Sequence, residues 1–264
     1  MVSHKLGQVF LIDHNVIDKI MNVASLTKED HVLEVGCGDG ILTSSLSQSC
    51  QSLTVIEIDQ HCIDQTKKAV TESTNIEFIH NDVLKTPFDT LSSKKLTIVA
   101  NIPYYLSAKF IQHCVIYKDC LKNIIIMVQK EFAQKLIAET GAKEHTSLSL
   151  YTQFYFDVTY LFTVSKNSFK PIPKIDSAMI QLTPKESPPF DVNEEVFFKL
   201  INTAFWGRRK QLSSAIKKSP FISYEGDVKT IQFLQQNPCV RGEKLSLADF
   251  YELYKQMENQ LRIK

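Results

Sequence analysis

Short apolar runs rich in β-branched residues recur along the first half of the chain, and segments of helical periodicity separate most of them. The runs occupy residues 32–35, 53–58, 76–79, 96–100 and 124–128. Successive apolar residues, rather than alternating ones, are typical of strands that are buried on both faces. We therefore predict a doubly wound α/β fold around a mostly parallel sheet.

The pattern changes after residue 150. Two further runs, 155–164 and 177–182, are joined by a Pro-containing loop without a helical pattern, so we predict an antiparallel hairpin that closes the sheet edge. Residues 183–189 have the Pro, Ser and charge content of a linker. We place a domain boundary there, with a catalytic domain at 1–184 and a small helical domain at 185–264. The predicted helices of the second domain cover 194–205, 210–217, 228–235 and 247–261.

Composition agrees with an ordinary globular protein of 264 residues with 44% apolar content. Because no stretch approaches ~18 consecutive apolar residues and the first residues form no apolar signal segment, we expect a cytoplasmic protein without a membrane partner. We also expect a monomer. The six cysteines are scattered without a Cys-x-x-Cys pair or a nearby His at metal-ligand spacing. We expect them to be reduced, and we expect no bound metal.

The net charge of +1 hides an asymmetry, because the last third of the chain is net positive and the rest is net negative. Arg208, Arg209 and Lys210 form the densest basic cluster, in a stretch without acids between Glu195 and Glu225. Such a cluster is either a solvated helix face or a phosphate-binding surface. Charge alone does not separate these two interpretations.

A glycine-rich turn follows the first strand run. Gly36, Gly38 and Gly40 stand between a predicted strand and a predicted helix, where glycine lets the backbone approach a ligand closely. The third glycine departs from the dinucleotide pattern G-x-G-x-x-G, which disfavours an NAD-linked oxidoreductase. Glu57, at the end of the next strand, suits hydrogen bonding to a ribose diol. Asp59 lies on the same side of that strand, so spacing does not choose between them.

Asp82 follows the next strand run. Taken alone, an Asp at such a position is usually a turn residue or a helix cap, but here it would also be placed to accept a hydrogen bond from an adenine amino group. Ligands of doubly wound folds bind outside the carboxyl ends of the strands. Gly36, Glu57, Asp82 and Asn101 are all expected to converge at that edge.

The tetrapeptide Asn101-Ile102-Pro103-Tyr104 is the strongest indication of chemistry. An exocyclic amine on a base is a poor nucleophile, because its lone pair is delocalised into the ring. Acceptance of hydrogen bonds by the Asn101 side chain and by a main-chain carbonyl of the Pro103 turn would draw that nitrogen toward tetrahedral geometry, while Tyr104 stacks on the base. The alternative is an ordinary strand-ending turn.

Seven motifs in order resemble the ribosomal RNA adenine dimethyltransferases of the KsgA/RsmA type, which use S-adenosylmethionine. They are residues 7–11, 34–38, 55–59, 101–104, 129–131, 169–177 and 205–210. The resemblance implies a Rossmann-like class I methyltransferase with a seven-stranded, mostly parallel sheet. It also implies that two methyl groups are placed on N6 of each of two adjacent adenosines near the 3′ end of small-subunit ribosomal RNA, during ribosome biogenesis, with S-adenosylhomocysteine as the second product.

The resemblance also assigns residues. It implies cofactor binding by Gln8, Leu11, Gly36, Gly38, Glu57, Asp82 and Asn101. Catalysis would fall to Asn101, with Tyr104 and Phe169 sandwiching a flipped-out adenine. RNA would be bound by Lys170, Lys174, Arg208, Arg209 and Lys210.

Two departures from the family pattern concern the N-terminal clamp over the cofactor. Val9 stands where the family usually has Asn or His, and only His4 and Lys5 represent the basic arm that often precedes the Gly-Gln motif. The alternatives in function are a large-subunit methyltransferase of the macrolide-resistance type and a non-catalytic RNA-binding assembly factor. The sequence from Lys174 to Ser177 and the basic cluster favour the small-subunit group, and an intact Asn101-to-Tyr104 turn disfavours a pure binder.

Overall fold

The computed structural model describes residues 9–264, so the predicted cofactor contact from Gln8 lies outside the described residues. The chain divides into two compact units. The first unit is Met1–Ala133 with Phe156–Lys185, and the second is Gln134–Tyr155 with Glu186–Lys264.

The first unit is built on strands that alternate with helices. Its strands are β1 Phe10–Leu11, β2 His31–Val35, β3 Ser52–Glu57, β4 Ile76–His80, β5 Leu96–Asn101, β6 Leu121–Gln129, β7 Phe156–Val164, β8 Phe169–Lys170 and β9 Ser177–Pro184. The helices are α1 His14–Ala24, α2 Ile41–Ser47, α3 Gln60–Ala69, α4 Ser107–Ile116 and α5 Lys130–Leu136, the last of which runs into the second unit.

Seven strands form the main sheet in the order β4-β3-β2-β5-β6-β9-β7. The first five are mutually parallel, whereas β9 is antiparallel to both β6 and β7. Four or five consecutive residues of β2, β3, β5 and β6 are buried. That burial on both faces is the reason that these strands are continuous apolar runs in the sequence.

A second, two-stranded ribbon pairs β1 with β8 in antiparallel register, with Leu11 opposite Phe169. The ribbon leads directly into α1. Asp13 caps that helix by accepting the N–H of Asn15, and its other carboxylate oxygen accepts the hydroxyl of Ser168. The cap therefore joins the start of α1 to the turn that precedes β8.

The second unit contains α6 Ser147–Tyr155, α7 Glu194–Trp206, α8 Leu212–Lys217, α9 Gln232–Gln236, α10 Leu247–Met257, β10 Ile222–Tyr224 and β11 Leu261–Ile263. The rings of Tyr151 and Phe154 lie 4.9 and 5.2 Å from the ring of Phe198 on α7. The hydroxyl of Tyr155 donates to the Glu194 carboxylate at 2.6 Å. Residues 134–155 pack on α7 through these contacts.

The sheet predictions are confirmed, including the antiparallel pair β7 and β9 at one edge. The structure differs from three other expectations. Residues 134–155 belong to the second unit, because their aromatic side chains are buried against α7. That unit is not purely helical, since β10 and β11 pair within it. The last helix ends at Met257 rather than at Leu261, because Leu261 lies in β11.

Candidate active site

A cavity of about 350 Å³ opens in the first unit, where β2 to β5 end. The predicted residues Leu11, Gly36, Gly38, Glu57, Asp82, Asn101 and Tyr104 all line it. The carboxyl ends of parallel strands meet at one edge of a sheet, so four separate strand ends contribute to one site. The convergence that the sequence predicted is present.

The glycine turn leaves room for a ligand. Gly36 and Gly38 have φ of 79° and 54°, the left-handed region that favours glycine. A Cβ on Gly36 would stand 3.8 Å from the Asn101 carbonyl oxygen and 3.9 Å from Oε2 of Glu57, and one on Gly38 would crowd the ring of Phe10 at 3.1 Å. Side chains at these two positions would fill the cradle between the turn and its neighbours.

Glu57 is held by three main-chain donors. Its Oε1 accepts the N–H groups of Ile58 and Asp59 at 2.8 and 2.9 Å, and its Oε2 accepts that of Cys37 at 3.1 Å. An ionised carboxylate offers about four acceptor positions. The Cys37 thiol also lies 3.8 Å from Oε2, a weak contact that a ligand hydroxyl can replace. Glu57 is therefore oriented by the backbone and can still accept a hydrogen bond from a ligand hydroxyl.

Asp59 is a helix cap rather than a cavity residue. Its carboxylate accepts the N–H of His61 at 2.9 Å and caps α3, and it is absent from the cavity lining. The structure thus distinguishes Glu57 from Asp59, which sequence spacing did not. Glu57 is the one that faces the cavity.

Asp82 is both a capping residue and a residue of the cavity wall. Its Oδ1 accepts the N–H of Leu84 at 2.9 Å and caps a short 3-10 turn. Within residues 9–264 no donor contacts Oδ2, and the side chain lines the cavity. One carboxylate oxygen is structural and the other is available to a ligand amino group.

Glu34 is a site residue that the sequence analysis missed. Its carboxyl is completely buried in β2, lines the cavity and makes no hydrogen bond of standard geometry within the described chain. The nearby Thr43 hydroxyl is also buried and also makes no such hydrogen bond there. Burial raises the pKa of Glu34 to about 8, with the Glu57 charge adding to the rise and Thr43 opposing it. The signal in the sequence is a lone carboxylate inside the otherwise apolar run of residues 32–35.

Cys37 stands in the glycine turn beside these acids. Burial raises the pKa of its thiol far above the usual range, and the neighbouring Glu57 and Glu34 charges act in the same direction. The thiol is therefore neutral and not a nucleophile.

The Asn101-to-Tyr104 turn continues directly from β5. The Pro103 carbonyl accepts the N–H of Leu106 at 2.9 Å and closes the turn. Among the described residues no donor contacts the Ile102 carbonyl, and the Asn101 amide makes no side-chain hydrogen bond. A main-chain carbonyl acceptor from this turn would accordingly be that of Ile102 rather than that of Pro103.

The two predicted base-stacking aromatics differ in position. Tyr104 lines the cavity, and its hydroxyl lies 2.7 Å from the Ser177 Oγ; burial raises its pKa. Phe169 does not reach the cavity. Its ring is only 1% exposed, because β8 pairs with β1 and turns the side chain into the apolar core beside Leu11. Tyr105, which the sequence analysis did not select, lines the cavity and is 70% exposed.

The lysines predicted to bind RNA in the first unit lie near the same sheet edge. Lys170 is exposed on β8. Lys174 lines a groove of about 290 Å³ together with Lys130 and Lys166, and Asp176 of that groove precedes the Ser177 that contacts Tyr104. Within the described residues none of these four lysines forms an ion pair.

The residues of the basic cluster in the second unit differ in their contacts. Nε of Arg208 donates to Glu243 at 2.6 Å and its NH2 donates to the Lys143 carbonyl at 2.8 Å. This guanidinium lowers the pKa of the Glu243 carboxyl. Arg209 and Lys210 are exposed and have no ion pair in the part of the chain that is described. Arg208 anchors the turn, whereas Arg209 and Lys210 are available to solvent.

Residues 9–264 contain neither a candidate metal site nor a candidate membrane span. No His, Cys, Asp and Glu side chains gather into a group of three that would hold a metal ion. None of the helices has the length and apolar character needed to cross a bilayer.

Comparison with known proteins identifies relatives along nearly the full length. A family model described as ribosomal RNA adenine dimethylase matches residues 2–258. A ribosomal RNA small subunit methyltransferase A from Mycoplasmopsis pulmonis is 36% identical over 250 residues, covering 95% of this chain and 96% of the relative. A protein of the same name from Bacillus pumilus is 36% identical and covers 94% of this chain and 88% of the relative.

Two solved structures share the fold. A dimethyladenosine transferase from Plasmodium falciparum has a TM-score of 0.81 at 28% identity, covering 95% of this chain and 98% of that one. The 23S rRNA methyltransferase ErmE has a TM-score of 0.73 at 23% identity, covering 94% of this chain and 99% of that one. The second similarity is one of fold.

Proposed function

The chain belongs to the ribosomal RNA adenine dimethylase family, and from that membership we propose the reaction that its site performs. It is a methyltransferase that uses S-adenosylmethionine to dimethylate N6 of adenosine in small-subunit ribosomal RNA. Its targets are two adjacent adenosines in the 3′-terminal hairpin, methylated during assembly of the small ribosomal subunit. S-adenosylhomocysteine is the second product.

The arrangement that supports this proposal most directly is the position of the Asn101-to-Tyr104 turn. Asn101 and Tyr104 line one cavity with Gly36, Glu57 and Asp82. One cavity thus contains three kinds of group: a hydrogen-bond acceptor for an amine, an aromatic ring, and acids that suit a nucleoside. A pure RNA-binding module has no use for such a combination.

The residues present fit S-adenosylmethionine. The glycine turn leaves open the space that a Cβ would fill, the oriented Glu57 carboxylate suits the ribose hydroxyls, and the second oxygen of Asp82 suits the adenine amino group. The buried, unpartnered Glu34 carboxyl lines the same cavity and offers hydrogen-bonding capacity to a polar group of a ligand. When bound, the cofactor supplies an activated methyl group on its sulfonium.

The residues of the chain contribute alignment and charge stabilisation. The Asn101 side-chain oxygen and the Ile102 carbonyl accept hydrogen bonds from the amino group of the target adenine, so that its lone pair turns toward the methyl carbon. Both dipoles stabilise the positive charge that develops on the nitrogen. No strong base is required, because the resulting ammonium releases its proton to solvent.

Tyr104 holds the target base in this position. Its hydroxyl is anchored to Ser177, so the ring is fixed at the cavity wall. One base–aromatic stack contributes roughly 1–3 kcal/mol to the binding of an unpaired base. We assign the second stacking surface to Tyr105, because Tyr105 lines the cavity whereas Phe169 is buried in the apolar core.

RNA outside the cavity is held by phosphate contacts. The groove of Lys130, Lys166 and Lys174 lies beside the Tyr104–Ser177 contact, and Lys170 is exposed on the neighbouring ribbon. These charges suit the backbone that flanks a flipped nucleotide. Arg209 and Lys210 of the second unit provide a further basic surface. The protein is proposed to act as a cytoplasmic monomer without a membrane partner.

A small-subunit substrate is favoured over the large-subunit alternative by the relatives, which are named small subunit methyltransferases at 36% identity, whereas the likeness to ErmE is one of fold. The test uses purified protein, labelled S-adenosylmethionine and unmethylated ribosomal subunits of both sizes. We expect label on N6 of two adjacent adenosines of the small subunit. Label on the large subunit only, or binding without transfer, would support the respective alternative.

A further inference from the structure

Trp206 is an exposed aromatic at the end of α7 to which the proposed chemistry assigns no role. It is the single tryptophan of the chain, and 47% of its surface is open to solvent. A large aromatic side chain in such a position leaves apolar surface in water without a packing partner on that side. Its immediate neighbours in the sequence, from Gly207 to Lys210, form the basic cluster.

A cation lies over the ring. The Lys210 ammonium is 4.4 Å from the Trp206 ring centroid, within the range of a cation–π contact. The ring therefore already interacts with a positive charge, and the π-face that attracts the charge is the kind of face on which a base stacks. A nucleotide brings both complements at once, a flat base for the ring and a phosphate for the ammonium.

The turn that carries these side chains is fixed. The Lys210 N–H donates to the Gly207 carbonyl at 2.6 Å, and the Arg208 N–H donates to the Phe205 carbonyl at 3.2 Å. The Arg208 guanidinium is held by Glu243 and by the Lys143 carbonyl. Trp206 and Lys210 therefore project from an ordered backbone, which lowers the entropic cost of binding.

We propose that Trp206 is a stacking platform for one unpaired nucleobase of the RNA substrate, with Lys210 and Arg209 contacting the adjacent phosphates. Arg208 takes no phosphate and acts as the anchor of the turn. The inference rests on the proposed function, because it adds a second base-binding position to an RNA methyltransferase. None of its residues lines the cavity, and all of them belong to the second unit.

The single tryptophan makes a direct test possible. Fluorescence excited at the red edge of the tryptophan band is followed while a short single-stranded RNA of mixed sequence is added, and the same strand in a blunt duplex serves as the comparison. We expect quenching that saturates with the single strand and is weak with the duplex. An unchanged signal at an RNA concentration that saturates binding would overturn the proposal.

Variants separate stacking from charge. We expect Trp206→Ala to weaken single-stranded RNA binding about 5- to 150-fold, the range for one base–aromatic stack, without a change in the salt slope. Trp206→Phe should restore binding to within a few-fold. Lys210→Ala should instead flatten the slope of log K against log salt by about 0.7. Ile116→Ala, which removes another exposed apolar side chain, is the matched control and should bind normally.

Methylation assays distinguish this inference from the proposed function. With small subunits we expect Trp206→Ala to raise KM while kcat and S-adenosylmethionine affinity stay unchanged, the latter showing that the protein is folded. If Trp206→Ala methylates small subunits with normal KM and binds RNA with normal affinity, the stacking role of Trp206 is refuted and the proposed function stands. Quenching of the wild-type protein without any methylation of either subunit would leave the platform standing and refute the proposed reaction.

Discussion

Individual polar side chains of the site are oriented by the backbone before any ligand binds. Glu57 is fixed by three N–H donors, and Asp82 is fixed through one of its two oxygens. Asn101 differs, because its amide has no partner within residues 9–264 and is free to meet a substrate. Oriented acceptors are effective in catalysis because they require little reorganisation when charge develops.

Replacing Asn101 by Ala should separate chemistry from cofactor binding. The glycine turn, Glu57 and Asp82 remain, so we expect S-adenosylmethionine affinity within about tenfold of wild type, whereas loss of one charge-stabilising acceptor costs roughly 10²–10³ in rate. Calorimetric titration and single-turnover methylation are the measurements. A single-turnover rate within a few-fold of wild type would contradict the role given to Asn101.

The pair Glu57 and Asp59 offers a matched comparison two residues apart. Glu57→Gln should weaken cofactor binding by about 1.5–3 kcal/mol, the range for a hydrogen bond to a charged group. Asp59→Ala should leave that affinity unchanged and lower the free energy of unfolding by about 1 kcal/mol, since it removes the cap of α3. Calorimetry and denaturant unfolding of both variants check this, and exchanged phenotypes would assign the ribose contact to Asp59.

Glu34 should make stability depend on pH. Its folded pKa of about 8 exceeds the ordinary value of 4.5, so the native state binds more protons than the unfolded state between these values. Its contribution is complete below pH 4.5 and is lost as pH rises through 8. Relative to Glu34→Gln, wild type should lose up to about 5 kcal/mol of unfolding free energy over this window. Parallel pH dependences of the two proteins would show that Glu34 is ionised when folded.

At the element scale, the site is assembled by segments that are far apart in the sequence. The ribbon of β1 and β8 brings Leu11 to the cavity wall and carries Phe169 into the core. Residues 134–155 join the second unit through aromatic contacts with α7. Periodicity identifies such segments as strands or helices, but it does not identify their partners.

The close approach of α7 and α8 depends on the absence of a side chain at Gly207. A Cβ there would stand 2.5 Å from the Cβ of Ala215. We expect Gly207→Ala to lower the free energy of unfolding by about 1–3 kcal/mol, as overpacking does. Denaturant unfolding measures it, and the double variant with Ala215→Gly should recover part of the loss. A Gly207→Ala protein as stable as wild type would mean that the helices separate without cost.

At the scale of the whole molecule, a nearly neutral protein must bind a polyanion through local concentrations of charge. The net charge is +1, so no general attraction exists. Lysines near the cavity and the Arg209–Lys210 pair supply the local charge in the described structure. Arg208 is excluded from this set by its ion pair with Glu243.

The salt dependence of RNA binding should reveal which charges contact phosphate. Each lost contact flattens the slope of log K against log salt by roughly 0.7–0.9, so Arg209→Ala with Lys210→Ala should flatten it by roughly 1.4–1.8. Arg208→Ala alone should change the slope much less, although its turn is weakened. Coincident slopes for the double variant and wild type would mean that this cluster is a solvated surface and that RNA is bound elsewhere.

The strands of the main sheet, the glycine turn and the Asn101-to-Tyr104 motif are predictable from the sequence alone, because burial on two faces, positive φ and turn formation are local demands on local residues. Four features are visible in the three-dimensional structure alone: Glu57 rather than Asp59 faces the cavity, Phe169 is buried, Glu34 lies unpartnered in the cavity wall, and Arg208 is paired. Phe169 and Arg208 owe their positions to the distant partners β1 and Glu243, and the burial of Glu34 depends on the strands that flank β2. Long-range pairing sets burial and the available hydrogen bonds, and spacing along one strand carries no information about it.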